Sequence, residues 1–191
     1  MKRIKDIVNK NLTGRKVLFL FVITNIIYGI MLMVTIPKTM GFSKGMKLLD
    51  MMPMGYDSEY INTLFEALGE NGRGVYLYNQ IPIDMVYPFL FGISYCLLLV
   101  YFLQKINKLN SAFFYLIFLP IIAGIADYIE NFGIINMLSS YPNQSQLSMD
   151  VTNVFSIIKS MTTTVFFVAL IITLAIFGYK TIVERITNAK K

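Results

Sequence analysis

The sequence predicts an all-α, polytopic membrane protein: an antiparallel bundle of four transmembrane helices with a short amphipathic helix on its outer side. The 191-residue chain has a mean hydropathy of +0.60, with 55% hydrophobic and 15% charged residues, which is too apolar for an ordinary soluble domain. Four apolar runs are long enough to cross a hydrocarbon core of ~30 Å. Basic residues concentrate at the chain ends and in one short loop, as in membrane proteins whose topology follows the positive-inside rule.

The first predicted span covers about residues 17–36 and follows a basic N-terminal segment. Residues 1–16 contain six basic side chains and one acidic side chain. The apolar run is long for a cleaved signal peptide, and no small-residue cleavage site follows it. We therefore predict a membrane anchor that stays in the protein.

Residues 37–81 form the only sizeable polar connection, and its charges nearly balance. Apolar residues recur with helical spacing over residues 61–68, which predicts a short amphipathic helix. Asp57 or Ser58 is the predicted N-cap, and the glycines from Gly69 onward predict its end. We expect this helix to lie on the outer mouth of the bundle.

The remaining spans are predicted at about residues 83–103, 112–138 and 151–179. The loop of residues 104–110 carries two lysines and no acid, and the C-terminal segment is also basic. The positive-inside rule therefore places this loop and both termini in the cytoplasm. The predicted location is the plasma membrane of a prokaryotic cell, with the lipid bilayer as a partner.

The composition excludes several kinds of function. With no His and a single Cys, Cys96, the chain cannot form an internal disulfide, a redox pair or a His-based zinc site. The 17 Lys and Arg against 11 Asp and Glu are placed to set topology, so no nucleic-acid partner is predicted. The Met51-Met-Pro-Met54 stretch, with no Cys or His nearby, is interpreted as an apolar contact rather than a soft-metal site. The sequence assigns no cofactor and no metal.

A layer of polar side chains interrupts the predicted spans at similar depth, nearer the outer face. Asp127, Glu130 and Asn131 in the third span are spaced i, i+3 and i+4, so they leave one face of a helix. Ionisable residues inside a membrane indicate function by default, although polar groups there also act as contacts between helices. The predicted binding site consists of Asp84, Tyr87, Asp127, Glu130, Asn131 and Lys159.

The charges in this layer do not balance. Three carboxylates, of Asp84, Asp127 and Glu130, face the single ammonium group of Lys159. Either solvent reaches the site, a cation binds there, or at least one carboxyl group keeps its proton. We expect Lys159 to bridge Asp127 or Glu130, which leaves the remaining acid free to titrate.

Two segments carry a resemblance to known proteins. Leu68-Gly-Glu-Asn-Gly-Arg73 in the outer loop and Ala126-Asp-Tyr-Ile-Glu-Asn131 in the third span resemble a pattern in a family of small four-span bacterial integral membrane proteins of unknown function. The resemblance covers about residues 55–135. It implies that the outer helix, the Gly-Arg turn and the acidic positions belong together, so that Arg73 reaches the acidic layer from above.

Three functions compete on this basis. The first is binding or transport of a cation, a proton or a small amphiphile or lipid, and a transporter with only four helices would need to form a homo-oligomer. The second is an accessory or envelope-organising role, in which the outer helix and basic ends contact a membrane-protein partner or anionic lipids. The third is a carboxylate-dependent enzyme that modifies lipids, with magnesium or calcium on oxygen ligands. No recognised catalytic signature is present, which argues against the third function. Of the other two, we favour the first.

Overall fold

The computed structural model describes residues 12–189, and this part of the chain is helical with no strand. The basic residues at 1–11 and 190–191, on which part of the topology prediction depends, lie outside the described residues. Within the described range, four helical segments are long and apolar enough to cross a membrane. They are Gly14–Met40, Ser58–Lys105, Ala112–Ser140 and Gln146–Asn188. The predicted all-helical class with four long apolar helices is thereby confirmed.

The first two segments are each built from several helices in series. The first contains α1 (Gly14–Ile30), a π-helical turn (Met31–Thr35) and α2 (Ile36–Met40). The second contains α3 (Ser58–Val75), a π-helical turn (Tyr76–Gln80), α4 (Ile81–Asp84) and α5 (Tyr87–Lys105). A 3-10 turn (Leu49–Met51) lies between the two segments.

Each π-helical turn ends immediately before an Ile-Pro pair, at Pro37 and at Pro82. Proline has no backbone N–H to donate, and its ring crowds the carbonyl of the preceding turn. The wider turn relieves that crowding without ending the helix.

The start of α3 and its interruption at Gly69 both agree with the sequence. The Asp57 carboxylate accepts a hydrogen bond of 2.8 Å from the Tyr60 backbone N–H, which confirms the predicted N-cap. Gly69 has φ 62° and ψ −176°, which is not a helical conformation, so the amphipathic helix is interrupted there as predicted. Beyond this kink the chain resumes as helix to Val75 and onward into the second apolar segment.

The third segment consists of a 3-10 turn (Ala112–Phe118) and α6 (Leu119–Ser140), and the fourth is α7 (Gln146–Ala189). Helix α6 packs along both α5 and α7, while α1 packs along α5 rather than along α7. The first and fourth segments therefore flank the other two.

Small residues and prolines lie where α5 and α6 meet. Pro88 and Gly92 on α5, and Pro120 and Gly124 on α6, are all buried. A Cβ atom at Gly124 would lie 2.8 Å from the Pro88 carbonyl oxygen. The absence of a side chain there allows the two backbones to approach each other.

The apolar core forms two clusters. The first surrounds the connection between the first two segments and includes Leu48, Leu49 and Phe65, with Met51 and Met52 packed against it. The second lies towards the loop between α5 and α6 and consists mainly of residues of the second, third and fourth segments. Tyr87 packs against both clusters, so it marks the level between them.

The close approach at Gly124 predicts a specific sensitivity. We expect Gly124→Ala to lower the free energy of unfolding by about 1–3 kcal/mol, because its methyl group must displace the Pro88 carbonyl. Gly178→Ala is the matched control, since a Cβ there meets nothing within 4 Å and alanine favours helix. Denaturant unfolding in mixed micelles measures both changes. Equal stability of the two variants would show that the helices do not pack through Gly124.

Candidate functional site

One ammonium group and two carboxylates form the centre of the polar site. Lys159 on α7 reaches across to α6, where its Nζ lies 3.4 Å from Asp127 Oδ1 and also pairs with Glu130 Oε2. The Glu130 side chain is fully buried, and that of Lys159 is 16% exposed. The predicted ion pair is confirmed, although Lys159 contacts both acids rather than one of them.

A cavity of about 450 Å³, which we call the acidic cavity, lies beside this ion pair. The first segment and α7 contribute opposite walls, and residues of α5 and α6 contribute the surface between them. The 3-10 turn Leu49–Met51 and the adjacent Pro53 cover one end. Its charged lining residues are Asp50, Asp84, Asp127 and Lys159.

Asp84, the last residue of α4, lines the acidic cavity, and one of its carboxylate oxygens is buried without a hydrogen-bond donor. Its residue surface is only 3% exposed, and no group in the described chain donates a hydrogen bond to its Oδ2. The Asn131 side-chain amide donates to the Asp84 backbone carbonyl at 3.4 Å and leaves the carboxylate without a donor. A buried acceptor without a partner is costly, so this oxygen requires a proton, a water molecule or a ligand.

Aromatic side chains form another part of the lining. Tyr87, one of the predicted site residues, stacks on Tyr28 of α1 with ring centroids 5.3 Å apart. It also packs against Phe91, 5.7 Å away, and all three residues line the acidic cavity. The site therefore has an acidic part and an aromatic part.

Asp50 is a site residue that the sequence analysis missed. It lies in the 3-10 turn Leu49–Met51, where its Oδ1 accepts from the Tyr76 hydroxyl and its Oδ2 from the Gln80 side-chain amide, both at 3.0 Å. Tyr76 and Gln80 are fully buried. Their spacing of four residues, which places two polar groups on one helix face, was the only signal in the sequence that pointed to a buried partner.

The 3-10 turn Leu49–Met51 and Pro53 belong to the loop before α3, which we call the covering loop. Tyr56, in the same loop, joins it to α7. Its backbone N–H donates to the Asn153 side-chain oxygen at 2.8 Å, and its ring is buried. Burial, together with the negative charge of Glu130, raises the pKa of Tyr56 above its usual range. Its hydroxyl therefore stays protonated.

Arg73 has partners other than the acidic layer. Its Nη1 donates to the Phe65 carbonyl at 2.7 Å, and its guanidinium carbon lies 4.2 Å from the centre of the Tyr141 ring. The kink at Gly69 separates Phe65 from Arg73, and the guanidinium group turns back across it. This arrangement corrects the expectation that Arg73 reaches the acids from above.

The acidic residues do not converge as metal ligands do. In the part of the chain that the structure describes, no group of three His, Cys, Asp or Glu side chains is placed to hold a metal ion. The magnesium or calcium centre of the enzyme alternative therefore has no ligand set among these residues.

Comparisons with known proteins do not assign the site. No protein-family model matches the chain, and neither a curated protein nor a solved structure matches it. The resemblance to small four-span bacterial membrane proteins therefore stays a prediction, and the function of the site follows from its own residues.

The ion pair predicts the effect of removing its cation. We expect Lys159→Met to lower the free energy of unfolding by about 3–5 kcal/mol, because Glu130 is left buried without a counter-charge. Adding Glu130→Gln should recover part of that loss. Unfolding in mixed micelles gives both values.

Lys180→Met is the matched control for this experiment. Lys180 pairs with Glu184 at 3.9 Å, and both side chains are exposed, so we expect a change within about 1 kcal/mol. If Lys159→Met were no more destabilising than Lys180→Met, the buried pair would have no structural role.

Proposed function

We propose that the protein is a multi-pass membrane protein, an antiparallel four-helix bundle that binds a small ligand in the acidic cavity from the outer side. The observation that carries this proposal is the cavity beside the Lys159 ion pair, with a volume of about 450 Å³. Small-molecule sites have volumes of roughly 300–1,000 Å³, with mostly apolar linings and a few converging polar groups. The acidic cavity fits this description.

Exposed apolar side chains support membrane insertion. Phe19, Met33, Ile125 and Ile171, from three of the four long segments, are more than half exposed. In water such surfaces would form extended apolar patches, whereas in a bilayer they contact hydrocarbon of similar polarity. Lys105, the last residue of α5, and Lys108 in the following loop are exposed and fit the predicted cytoplasmic side.

Ligand binding explains the site better than structural contact between helices does. A purely structural polar cluster would pair its charged groups with one another, as Lys159 pairs with Asp127 and Glu130. Asp84 lines the cavity and makes no ion pair within the described chain, and its Oδ2 has no donor there. A cavity lined by a carboxylate without a counter-ion favours a bound molecule that carries a donor or a positive charge.

Binding is also favoured over movement across the membrane. Below the acidic cavity the bundle is filled by the second apolar cluster, in which Leu99, Leu103 and Phe166 are almost completely buried. A transported solute would have to displace this packed core. The proposed function is therefore reception of a ligand on one side.

The proposed topology predicts which residues an impermeant reagent reaches. In a Cys96→Ser background, Met54→Cys should react with an impermeant maleimide in intact cells, because Met54 is 89% exposed in the outer connection. Ala112→Cys, exposed at the start of the third segment, should react only after the membrane is permeabilised. The opposite labelling pattern would refute the orientation.

The proposed binding site predicts ligand-dependent stability. We expect at least one member of a panel of inorganic cations, pH values and membrane lipids to raise the unfolding temperature of the purified protein. A ligand that binds only the native state stabilises it by about 2.7 kcal/mol when the ligand concentration is 100 times the dissociation constant. Asp127→Asn should reduce this response, because Asp127 lines the acidic cavity. Asp150→Asn, an exposed position on the same side, is the control. If no condition distinguishes the two variants, the polar layer serves only to join helices.

A further inference from the structure

The charges around the acidic cavity favour a cationic ligand. Asp50, Asp84 and Asp127 line it, and Lys159 is the one basic residue among its described lining residues. The Lys159 ammonium group already contacts Asp127 and Glu130, so it is not available to the other acids. A positive group on the ligand would complement the negative excess that remains.

The unsatisfied oxygen of Asp84 specifies a hydrogen-bond donor. An ionised carboxylate only accepts hydrogen bonds, and Asp84 Oδ2 has no donor in the described part of the chain although the residue is almost completely buried. A primary or secondary ammonium group carries both a positive charge and N–H donors. A quaternary ammonium group carries the charge without a donor.

The size of the acidic cavity argues against a bare metal ion. Its volume of about 450 Å³ is in the range of small-molecule sites and far exceeds what a single ion occupies. A calcium ion needs six to eight oxygen ligands at about 2.3–2.6 Å, and the described acids do not form such a set. An organic molecule would fill the volume and contact several walls at once.

The remaining lining is apolar. Met31, Leu32 and Ile36 contribute to the wall from the first segment, and Ala123 contributes from α6. The stacked rings of Tyr28 and Tyr87 offer faces that attract a cation as well as alkyl groups. The ligand therefore needs an apolar portion next to its positive group.

The rim of the acidic cavity connects it with the surface of the helices. Leu32 is 45% exposed on one side and Thr164 is exposed on the other, and both line the cavity. Since the first segment packs along α5 rather than along α7, this opening lies between the two flanking segments. In the proposed membrane topology it faces lipid.

We propose that the acidic cavity binds an amphiphile with a primary or secondary ammonium head group, which lies at Asp84 while its apolar chain lies along the first segment. This proposal rests on the proposed ligand-binding function and names the chemical class of the ligand. The ligand arrives from the bilayer through the opening between the first segment and α7.

The test compares amphiphiles that share one alkyl chain. Decylammonium, decyltrimethylammonium, decanol and decanoate are titrated into the full-length protein in nanodiscs, with empty nanodiscs as the correction for partitioning into lipid. We expect decylammonium to bind at least about tenfold more tightly than the other three, because only it supplies a charge-assisted N–H bond. Decanoate, which is repelled by the carboxylates, should be the weakest.

Two pairs of variants locate the binding. Asp84→Asn should weaken decylammonium binding by about tenfold or more, while Asp150→Asn should leave it unchanged. Thr163→Phe should weaken binding by filling the cavity without removing a charge, while Val168→Phe, exposed on the same helix, should not. If Asp84→Asn does not fold, the comparison of Thr163→Phe with Val168→Phe tests whether the ligand binds in the acidic cavity.

The outcomes separate this inference from the proposed function. Equal affinity for decanol or decanoate, or undiminished binding in both Asp84→Asn and Thr163→Phe, would overturn the ammonium class. If instead an inorganic cation or a lipid without an amine stabilises the wild type through Asp127, the inference is wrong and the binding function stands. If no ligand of any kind binds, both are wrong.

Discussion

The pairing of Lys159 with Asp127 and Glu130 is the interaction on which the rest of the structure depends. An unpaired charge in an apolar interior costs several kcal/mol or more, so α6 and α7 must meet where these groups meet. This requirement fixes the relative depth and rotation of the two helices. Gly133 on α6 permits the approach, because a side chain there would collide with Thr152 on α7.

The same pairing creates the acidic cavity. Because both acids of α6 pair with Lys159, Asp84 on the neighbouring segment has no ion-pair partner among the described residues. The first segment does not fill the gap, since it packs along α5 and leaves a space beside α7. A buried ion pair and a carboxylate without a counter-ion thus lie side by side. The first joins two helices, and the second is the part of the site to which we assign binding.

The correct predictions from the sequence depend on the spacing of residues along a single helix. The i, i+3 and i+4 positions of Asp127, Glu130 and Asn131 placed all three in the buried interior, and a lone lysine within an apolar helix had to find an acid. The contacts of Asp50 and Arg73 depend instead on tertiary structure. Asp50 meets its partners across about 26 and 30 residues of chain, and the partners of Arg73 depend on the direction of the kink at Gly69. The spacing of Tyr76 and Gln80 indicates a buried partner without identifying Asp50, and no spacing indicates the partners of Arg73.

The covering loop determines how a ligand would reach Asp84. Both carboxylate oxygens of Asp50 accept hydrogen bonds from buried side chains, and Tyr56 attaches the same loop to α7, so the cover is held at several points. Its neighbours Leu48 and Leu49 are fully buried, and opening the cover would expose them to water. The route between the first segment and α7 requires no such exposure. In the proposed membrane setting, a ligand therefore partitions into the bilayer before it binds, and partitioning selects amphiphiles over freely soluble ions before the carboxylate makes any contact.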